Sequence, residues 1–598
     1  MLLGLSSAVI LPGGIDRYTL PKAAVATLGA ALVLTLPANR LPRRISLLIA
    51  AGAVLLVGAA LLGAAPSAQL LGRAPRYEGV VVVAAYLCVF LAGTRLFART
   101  WTHMFDAFSV GLALSALAVG SVAVIEAAGL RPLGGVGARG GSLIGNATEQ
   151  GAFGVLALGL LAQVGLHGRR PLPIIGAVAA AICIVTSGSR AALLGALVTA
   201  VVLALVNPGR ARRTVAVGAF AVVASAVLLP GTRSRLTGTS PMSAATVTGR
   251  LDTWRESWTL VARRPLGVGP SGYVDAIPSA HTAAWFRTQP PDLVLDSPHT
   301  LPLQLWAAGG PALVGTALIG AWFLVRPAAR RLMVLRRGTG GALPASALIG
   351  LPGYAVVLLT HFTGPTTTLT AVAMLGASIP AAPAASSLPG RPSRQVLVSH
   401  SGWPYAVGSA LIAAILTLGA VAEVPMRAGI DGVAAGDTTR ADASFALATR
   451  LRPWTSDDIA LSALHAYAAA GRNGDHDLGA HGMRWVGHVG LLATSPWALG
   501  DAGSVSEFAG DLEAADRHFA DALALAPRDP VLTLRQGVVA AELGDVDRAE
   551  RLFIQVTHVV PRSPDPWINL TVLYGLVGDS TRQAHAQARA DELATASR

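Results

Sequence analysis

Residues 171–206 read PLPIIGAVAAAICIVTSGSRAALLGALVTAVVLALV. Two apolar runs, 171–186 and 190–206, flank the polar turn Ser187-Gly188-Ser189-Arg190. Each run approaches the roughly 17 to 25 residues that an α-helix needs to cross the hydrocarbon core of a bilayer. The stretch therefore predicts two membrane helices joined by a short turn, in an all-α protein.

Apolar runs of similar length recur on both sides of this pair. The chain has 598 residues, of which 53% are hydrophobic and only 13% are charged, so a polytopic membrane protein is predicted. Both cysteines, Cys88 and Cys183, fall inside apolar runs, which leaves neither a disulfide framework nor a cysteine metal site. The twelve predicted spans, or thirteen if residues 1–12 form a truncated first one, are 22–37, 45–65, 78–98, 104–127, 147–166, 171–186, 190–206, 213–230, 300–325, 342–362, 366–381 and 403–423.

The basic residues between the spans are distributed unequally over the two faces. One set of connections carries seventeen arginines: Arg40, Arg43, Arg44, Arg95, Arg99, Arg169, Arg170, Arg210, Arg212, Arg213, Arg326, Arg330, Arg331, Arg336, Arg337, Arg391 and Arg394. The opposite short connections carry only seven basic residues: Arg17, Lys22, Arg73, Arg76, Arg131, Arg139 and Arg190. By the positive-inside rule the first set is cytoplasmic, which places the 231–299 loop and everything after residue 423 outside the cytoplasmic membrane.

Four domains follow from these patterns: N-terminal transmembrane helices at 1–230, a large extracytoplasmic loop at 231–299, C-terminal transmembrane helices at 300–423, and a soluble domain at 424–598. Residues 1–423 contain 31 Lys and Arg against 11 acids, whereas residues 424–598 contain 15 against 22. The basic residues of the first part lie in short clusters between apolar runs, as membrane topology requires, so nucleic-acid binding is excluded.

The large loop has the pattern of a folded lid. Leu251, Trp254, Trp258 and Val261 recur at helical spacing, which predicts an amphipathic helix in the lipid headgroup region. The glycine-rich segment 265–273 then predicts tight turns.

The soluble domain repeats itself every 34 residues. Gly-Asp pairs recur at 510–511, 544–545 and 578–579, Ala515 with Phe519 returns as Ala549 with Phe553, and Pro527 returns as Pro561. A further copy begins at 436–437, and the stretch from there to residue 510 reads as a degenerate repeat. This period resembles tetratricopeptide repeats and predicts an α-helical solenoid that recruits an acceptor or a protein partner, or serves as a spacer.

The candidate catalytic residues lie on the predicted outer face. His299 ends the large loop at the mouth of a span, where a histidine can act as a general base, and Asp296 is placed to orient it. Arg190 and Arg250, with Arg139 as a third candidate, suit a phosphate because guanidinium donates paired hydrogen bonds. Each also has a purely structural interpretation: a headgroup anchor for Arg190, a helix charge pair for Arg250, and an interfacial hydrogen bond for His299. His361 is interpreted as a span-end histidine with satisfied hydrogen bonds, and His281 is given no role.

Five motifs in order resemble the O-antigen ligase and O-antigen polymerase superfamily over residues 15–380. They are Gly145-Asn146-Ala147-Thr148-Glu149-Gln150-Gly151, residues 187–195, Arg250 with Trp254, residues 265–269, and His299 before Leu301. Two departures are Thr300, where the family often has asparagine, and the lack of a second asparagine near Asn146. The resemblance implies a GT-C-like membrane glycosyltransferase that moves a glycan from an undecaprenyl-diphosphate carrier to a glycan, lipid or protein acceptor, without cofactor or metal.

In that interpretation His299 accepts the proton of the acceptor hydroxyl, while Arg190, Arg250 and Arg139 bind the diphosphate. Ligase and polymerase activity remain alternatives, because they differ only in the acceptor. An alternative from another class is a non-catalytic envelope scaffold or transporter, since many apolar helices with few charges also describe carriers. Carriers usually place ionisable residues near the bilayer midplane, whereas the acids of this chain lie near span ends.

Overall fold

The structure is a computed structural model that describes residues 1–36, 41–63, 66–98, 102–134, 139–168, 170–238, 241–291, 293–337, 343–379, 402–490 and 494–596. All regular structure in these ranges is helical. Outside them lie Arg40, Arg99, Arg169, Arg391 and Arg394 of the predicted cytoplasmic clusters, as well as the predicted span ends at 37, 64–65, 342 and 380–381.

Residues 1–434 form a bundle of apolar helices with a small helical subdomain inserted at the large loop. The bundle contains α1 (Leu2–Leu5), α2 (Thr19–Leu34), α3 (Arg43–Leu62), α4 (Pro66–Leu71), α5 (Val80–Leu96), α6 (Thr102–Ala127), α7 (Ala147–Gly168), α8 (Pro171–Thr186), α9 (Arg190–Val206) and α10 (Arg210–Leu228). The loop contains α11 (Pro230–Leu236), α12 (Pro241–Arg263), α13 (Tyr273–Ala276) and α14 (Ala283–Thr288). The bundle resumes with α15 (Leu301–Arg336), α16 (Leu351–Leu358), α17 (Pro365–Leu375) and α18 (Trp403–Ala434).

Six helices of the described chain are long and apolar enough to cross a membrane: α3, α6, α7, α10, α15 and α18. Helices α2, α5, α8 and α9 are apolar but shorter, and so is the segment Leu343–Leu358. Each of the twelve predicted spans coincides with helical structure, so the helical membrane bundle is confirmed. The count of twelve or thirteen crossings stays a prediction. Residues 1–12 contain only two short helical turns, which pack beside α6, where Ser115 Oγ donates to the Gly4 carbonyl at 2.8 Å.

Helix α18 joins the membrane part to the repeat domain without a break. It runs for 32 residues from Trp403 to Ala434, so the predicted boundary at 423/424 falls inside it. At that point the Glu423 carboxylate, with no exposed surface, accepts hydrogen bonds from Tyr77 at 2.6 Å and from Arg452 at 3.0 Å. Because Arg452 belongs to the repeat domain and is equally buried, this ion pair fixes that domain on the bundle.

The C-terminal domain is a row of helical hairpins. The helices after α18 are α19 (Thr438–Leu451), α20 (Ser456–Arg472), α21 (His476–His481), α22 (Met483–Val486), α23 (Pro496–Phe508), α24 (Leu512–Leu525), α25 (Pro530–Glu542), α26 (Val546–Val559), α27 (Asp565–Leu576) and α28 (Ser580–Ala596). Each predicted Gly-Asp pair lies at a hairpin turn, where the glycine has a positive φ and the aspartate caps the next helix. Gly474-Asp475 forms a further turn of this kind, within the stretch predicted as a degenerate repeat.

A turn glycine gives a clean test of the repeat geometry. Gly544 has φ +81°, and a Cβ at this position would meet no atom within 4 Å. Replacing Gly544 with alanine therefore costs only the left-handed backbone conformation, and we expect the free energy of unfolding of the repeat domain to fall by about 1 to 2 kcal/mol. Denaturant unfolding measures the change, with Gly544→Asn as the control, because asparagine tolerates this conformation better. An unchanged midpoint for Gly544→Ala would contradict the assigned turn.

The repeat domain also rests on the large loop. Trp497 Nε1 donates to the Val274 carbonyl at 3.3 Å, and Arg528 donates to the His281 carbonyl at 3.3 Å. Val556 and Val560 of the repeats complete the apolar core of the loop subdomain. The loop and the repeat domain therefore lie on the same face of the bundle, as the charge pattern requires.

Candidate functional site

His299 lies where the loop enters α15, in a strained backbone conformation. Its φ is +52°, in a region that residues other than glycine rarely adopt. In the described chain only two other non-glycine residues have a positive φ, Tyr77 and Ser142. Tyr77 directly follows Arg76, and Ser142 lies three residues after Arg139. Such strain is retained where the surroundings fix a functional geometry.

The environment of His299 favours a neutral imidazole. Burial lowers the pKa of His299 from its usual value, the Asp296 carboxylate opposes this change, and Arg250 and Arg76 lower the pKa further. Nδ1 is buried, and none of the described residues forms a hydrogen bond with it. Asp296 therefore acts on His299 through its charge and not through a hydrogen bond. A neutral histidine can accept a proton near neutral pH.

Arg76 is a site residue that the sequence did not single out. Its guanidinium lies 4.6 Å from the centre of the Phe362 ring and donates to the carbonyls of Thr363 at 3.0 Å and Asp296 at 3.2 Å. It also pairs with Glu78. Arg76 thus ties the residues before His299 to the turn between α16 and α17. Its position on a predicted outer connection was the only available signal.

Four arginines come together beside this turn: the three predicted ones, Arg139, Arg190 and Arg250, and also Arg235 of α11. Burial lowers the pKa of Arg139 to about 10, with help from Arg235 and Arg250. Burial likewise lowers the pKa of Arg250, and Arg190 and Arg235 add to that effect. Among the described residues none of the four forms a salt bridge, so their positive charges are not balanced by protein carboxylates.

The motif around Arg190 builds one wall of this arginine cluster. Ser189 caps α9 by accepting from the Ala192 amide at 3.3 Å, which makes Arg190 the first residue of a 17-residue helix. Arg139 donates to the Ser187 carbonyl at 3.0 Å. Gly188 has φ +57°, and a Cβ there would lie 3.7 Å from Arg235 Cδ. A helix N-terminus surrounded by guanidinium groups is an anion-binding arrangement.

A large apolar cavity lies among the membrane helices and extends to the residues just before the turn that carries Arg190. It has a volume of about 910 Å³, is lined by side chains of α6 to α10, and extends to Val185, Thr186 and Leu229. Thr232 of α11 donates to the Val185 carbonyl at 3.1 Å. The end of the cavity at Val185 therefore adjoins α11, the helix that carries Arg235. The arrangement suits an amphiphile with an apolar chain and an anionic head.

The glycine-rich turn fastens the loop to the bundle. The Val268 amide donates to the Ala307 carbonyl at 2.6 Å, and Gln69 bonds both the Val268 carbonyl and the Ser271 amide, at 3.2 Å and 3.0 Å. Opposite the turn, α15 leaves helical geometry at Gly309 and Gly310. The glycine-rich turn therefore fixes the position of the loop, and with it that of His299, relative to the bundle.

The predicted amphipathic helix exists, and part of its apolar stripe is exposed. Helix α12 spans Pro241–Arg263, and Leu251 and Trp258 are 46% and 56% exposed. Their exposure is compatible with the predicted position in the lipid headgroup region, which stays a prediction. Val261 is instead buried in the apolar core of the loop subdomain. The protein-facing side also contains Glu256, which accepts from Thr282 at 2.7 Å, and Ser257, bonded to Tyr273 at 2.7 Å.

The other two histidines of this face differ from each other. His281 stacks on Trp285 at 4.7 Å under the repeat domain, and burial lowers its pKa to about 4. These contacts give His281 a structural role. His361 is 4% exposed, and within the described structure neither ring nitrogen has a hydrogen-bond partner. The interpretation of His361 as a satisfied histidine is therefore wrong.

Comparisons with known proteins give one family match and one similar solved structure. Residues 175–320 match the family model described as O-antigen ligase. Among solved structures, a chain titled MamA MSR-1 C2 is 17% identical with a TM-score of 0.24, over 30% of this chain and 99% of that chain. No curated protein matches the chain.

The family match extends from α8 into the first half of α15. It thereby includes Arg190, Arg235, Arg250 and His299, while Arg139 and Arg76 lie before it. The residues that the structure brings together are mostly those that the family model encloses, within a bundle of apolar helices. Residues 175–320 of this bundle of membrane helices are therefore similar to the O-antigen ligase family.

Proposed function

We propose that the protein transfers a glycan from an undecaprenyl-diphosphate carrier to an acceptor, as a ligase or polymerase, on the extracytoplasmic face of the cytoplasmic membrane. The observation that carries this proposal is the arginine cluster, which has no acidic partner within the described part of the chain. The cluster adjoins an apolar cavity and lies within electrostatic range of His299 through Arg250. Four like charges held together without carboxylates repel one another, and a bound diphosphate removes that repulsion.

The chemistry follows from the order of these groups. The polyprenyl chain lies in the cavity, and the diphosphate lies among the arginines. The acceptor hydroxyl oxygen attacks the anomeric carbon while the bond from that carbon to the diphosphate oxygen breaks. His299 takes the hydroxyl proton, and the arginines stabilise the negative charge that develops on the leaving diphosphate. The positive charge comes from side chains, so we expect transfer to persist in EDTA.

The repeat domain is proposed to bring the acceptor, or a protein that carries it, to this face. Its contacts with Val274 and His281 place it directly over the loop. Such a position suits a recruiting domain, because whatever the hairpins bind is held near His299.

Donor binding tests the arginine cluster. A charge-assisted hydrogen bond is worth about 1.5 to 3 kcal/mol, so we expect Arg190→Ala and Arg235→Ala each to weaken binding of an undecaprenyl-diphosphate glycan roughly 10- to 100-fold. Arg233→Ala is the matched control, since Arg233 lies on the same short helix as Arg235 but is exposed. Equal affinities for the Arg233, Arg235 and Arg190 variants would overturn the assignment.

A further inference from the structure

His361 lies in a turn that is held in place from three sides. The Thr363 carbonyl accepts from Arg76, and the Thr363 amide donates to Gln304 Oε1 at 3.1 Å. Three residues further on, Thr366 donates to the buried carboxylate of Glu149. The turn between α16 and α17 is therefore fixed against the residues on either side of His299, and the position of His361 is determined by the site.

The Phe362 ring connects the two histidines. It lies 4.1 Å from the His361 ring and 5.3 Å from the His299 ring, centre to centre. The Arg76 guanidinium covers the same ring at 4.6 Å. His361 is thus part of the immediate surroundings of the proposed base, although 62 residues separate the two in sequence.

The hydrogen-bonding state of His361 is costly for a residue that only packs. Both ring nitrogens are buried, and no described protein group forms a hydrogen bond with either one. A buried polar group without a partner costs roughly 1 to 3 kcal/mol, a cost that phenylalanine or leucine would avoid while filling similar space. A side chain of this kind is retained where a ligand supplies the missing partner.

The charges around His361 favour a neutral ring. Arg250, Arg76 and Arg139 all lie within electrostatic range of the His361 ring. Adding a proton to the imidazole would place another positive charge among them, so the neutral ring is favoured, with one N–H donor and one acceptor nitrogen. A hydroxyl group can bond either nitrogen, because it both donates and accepts, whereas a phosphate oxygen can bond only the N–H.

We propose that His361 is a second substrate-contacting histidine, which hydrogen-bonds a sugar hydroxyl next to the anomeric carbon that His299 serves. This inference rests on the proposed function and adds a sugar-recognition role to a residue outside the family match. The Phe362 ring contacts both histidines and so places their rings in one site. The hydroxyl belongs either to the donor glycan or to the acceptor glycan, and the kinetics distinguish the two.

The test compares two variants of the full chain in liposomes. His361→Phe keeps a ring on Phe362 but removes both nitrogens, and we expect kcat/KM for glycan transfer to fall roughly 10- to 100-fold. His361→Gln keeps a donor and an acceptor and should retain most of the activity. A raised KM for the lipid-linked disaccharide identifies the donor sugar, and a raised KM for the acceptor identifies the acceptor sugar.

Binding separates this inference from the proposed function. If His361 contacts the donor sugar, His361→Phe weakens binding of a polyprenyl-diphosphate disaccharide but leaves binding of the glycan-free polyprenyl diphosphate unchanged. Wild-type transfer in His361→Phe, or equal losses in the Phe and Gln variants, would overturn the role of His361 while leaving the proposed function intact. Failure of the wild-type protein to release lipid diphosphate would instead overturn the function. In that case, unchanged binding of both lipids and of the acceptor glycan to His361→Phe would overturn the inference as well.

Discussion

His299→Ala is expected to lower the rate of glycan transfer about 100- to 10,000-fold, the usual contribution of a positioned general base. The variant removes the imidazole but leaves the arginine cluster and the apolar cavity, so binding of the lipid-linked donor should change little. His585→Ala is the control, since His585 is exposed on α28, far along the repeat domain. Transfer by His299→Ala at a rate near that of the His585 variant would contradict the role of His299.

The pH dependence of kcat/KM is a second test of the role of His299. Because the folded protein holds the pKa of His299 below the ordinary value of 6.5, the neutral base should persist at neutral pH. We expect kcat/KM to fall on acidification only below about pH 6.5. Asp296→Asn removes the carboxylate that raises this pKa, so the acidic limb should move to lower pH. A limb that moves upward would exclude the assigned electrostatics.

Arg452→Met is expected to lower the free energy of unfolding by about 3 to 5 kcal/mol, because it leaves the Glu423 carboxylate buried without its ion-pair partner. Neither side chain has exposed surface, so water cannot replace the lost charge. Since the pair joins the repeat domain to α18 beside Tyr77, the variant should also free the repeat domain for proteolysis. Thermal unfolding in detergent and limited proteolysis of the full chain measure the two effects.

Two further variants separate the ion pair from simple packing. Arg427→Met removes an i,i+4 pair with Asp431 on the same helix, but both side chains are 53% exposed, so its effect should stay below about 1 kcal/mol. Replacing both members of the buried pair, as Arg452→Met with Glu423→Leu, should recover much of the lost stability. Equal unfolding temperatures for Arg452→Met and Arg427→Met would contradict the described joint.

Local sequence patterns were sufficient for most of the fold. Apolar runs specify membrane helices, and a glycine with a positive φ followed by a capping aspartate specifies each hairpin turn, so both could be read from the chain. The turn at Gly474-Asp475 was not predicted, because its spacing departs from 34 residues. In addition, Gly479 and Met483 stand where the other repeats have alanine and phenylalanine. An irregular copy is recognised only once its helices are seen to pack.

The candidate site was predictable only in part. His299 and Arg190 stand at a span end and a helix start, positions that sequence can locate, whereas Arg250 was predicted to begin α12 and lies near its middle. Arg235, Arg76 and His361 join them through contacts between residues far apart in the chain, which periodicity does not encode. The polar contacts of α12 were not predicted for a similar reason: Glu256 is tolerated inside because Thr282, which caps another helix, supplies its hydrogen bond.

The most direct measurement is release of lipid diphosphate in liposomes that contain the full-length protein, a short undecaprenyl-diphosphate glycan and a cell-envelope extract as acceptor. We predict release that depends on both the acceptor and His299, with a labelled product that is a single conjugate for a ligase or a ladder for a polymerase. Folded protein that moves the lipid-linked glycan across the bilayer without releasing diphosphate, or that does neither, would contradict glycan transfer and favour a transporter or scaffold.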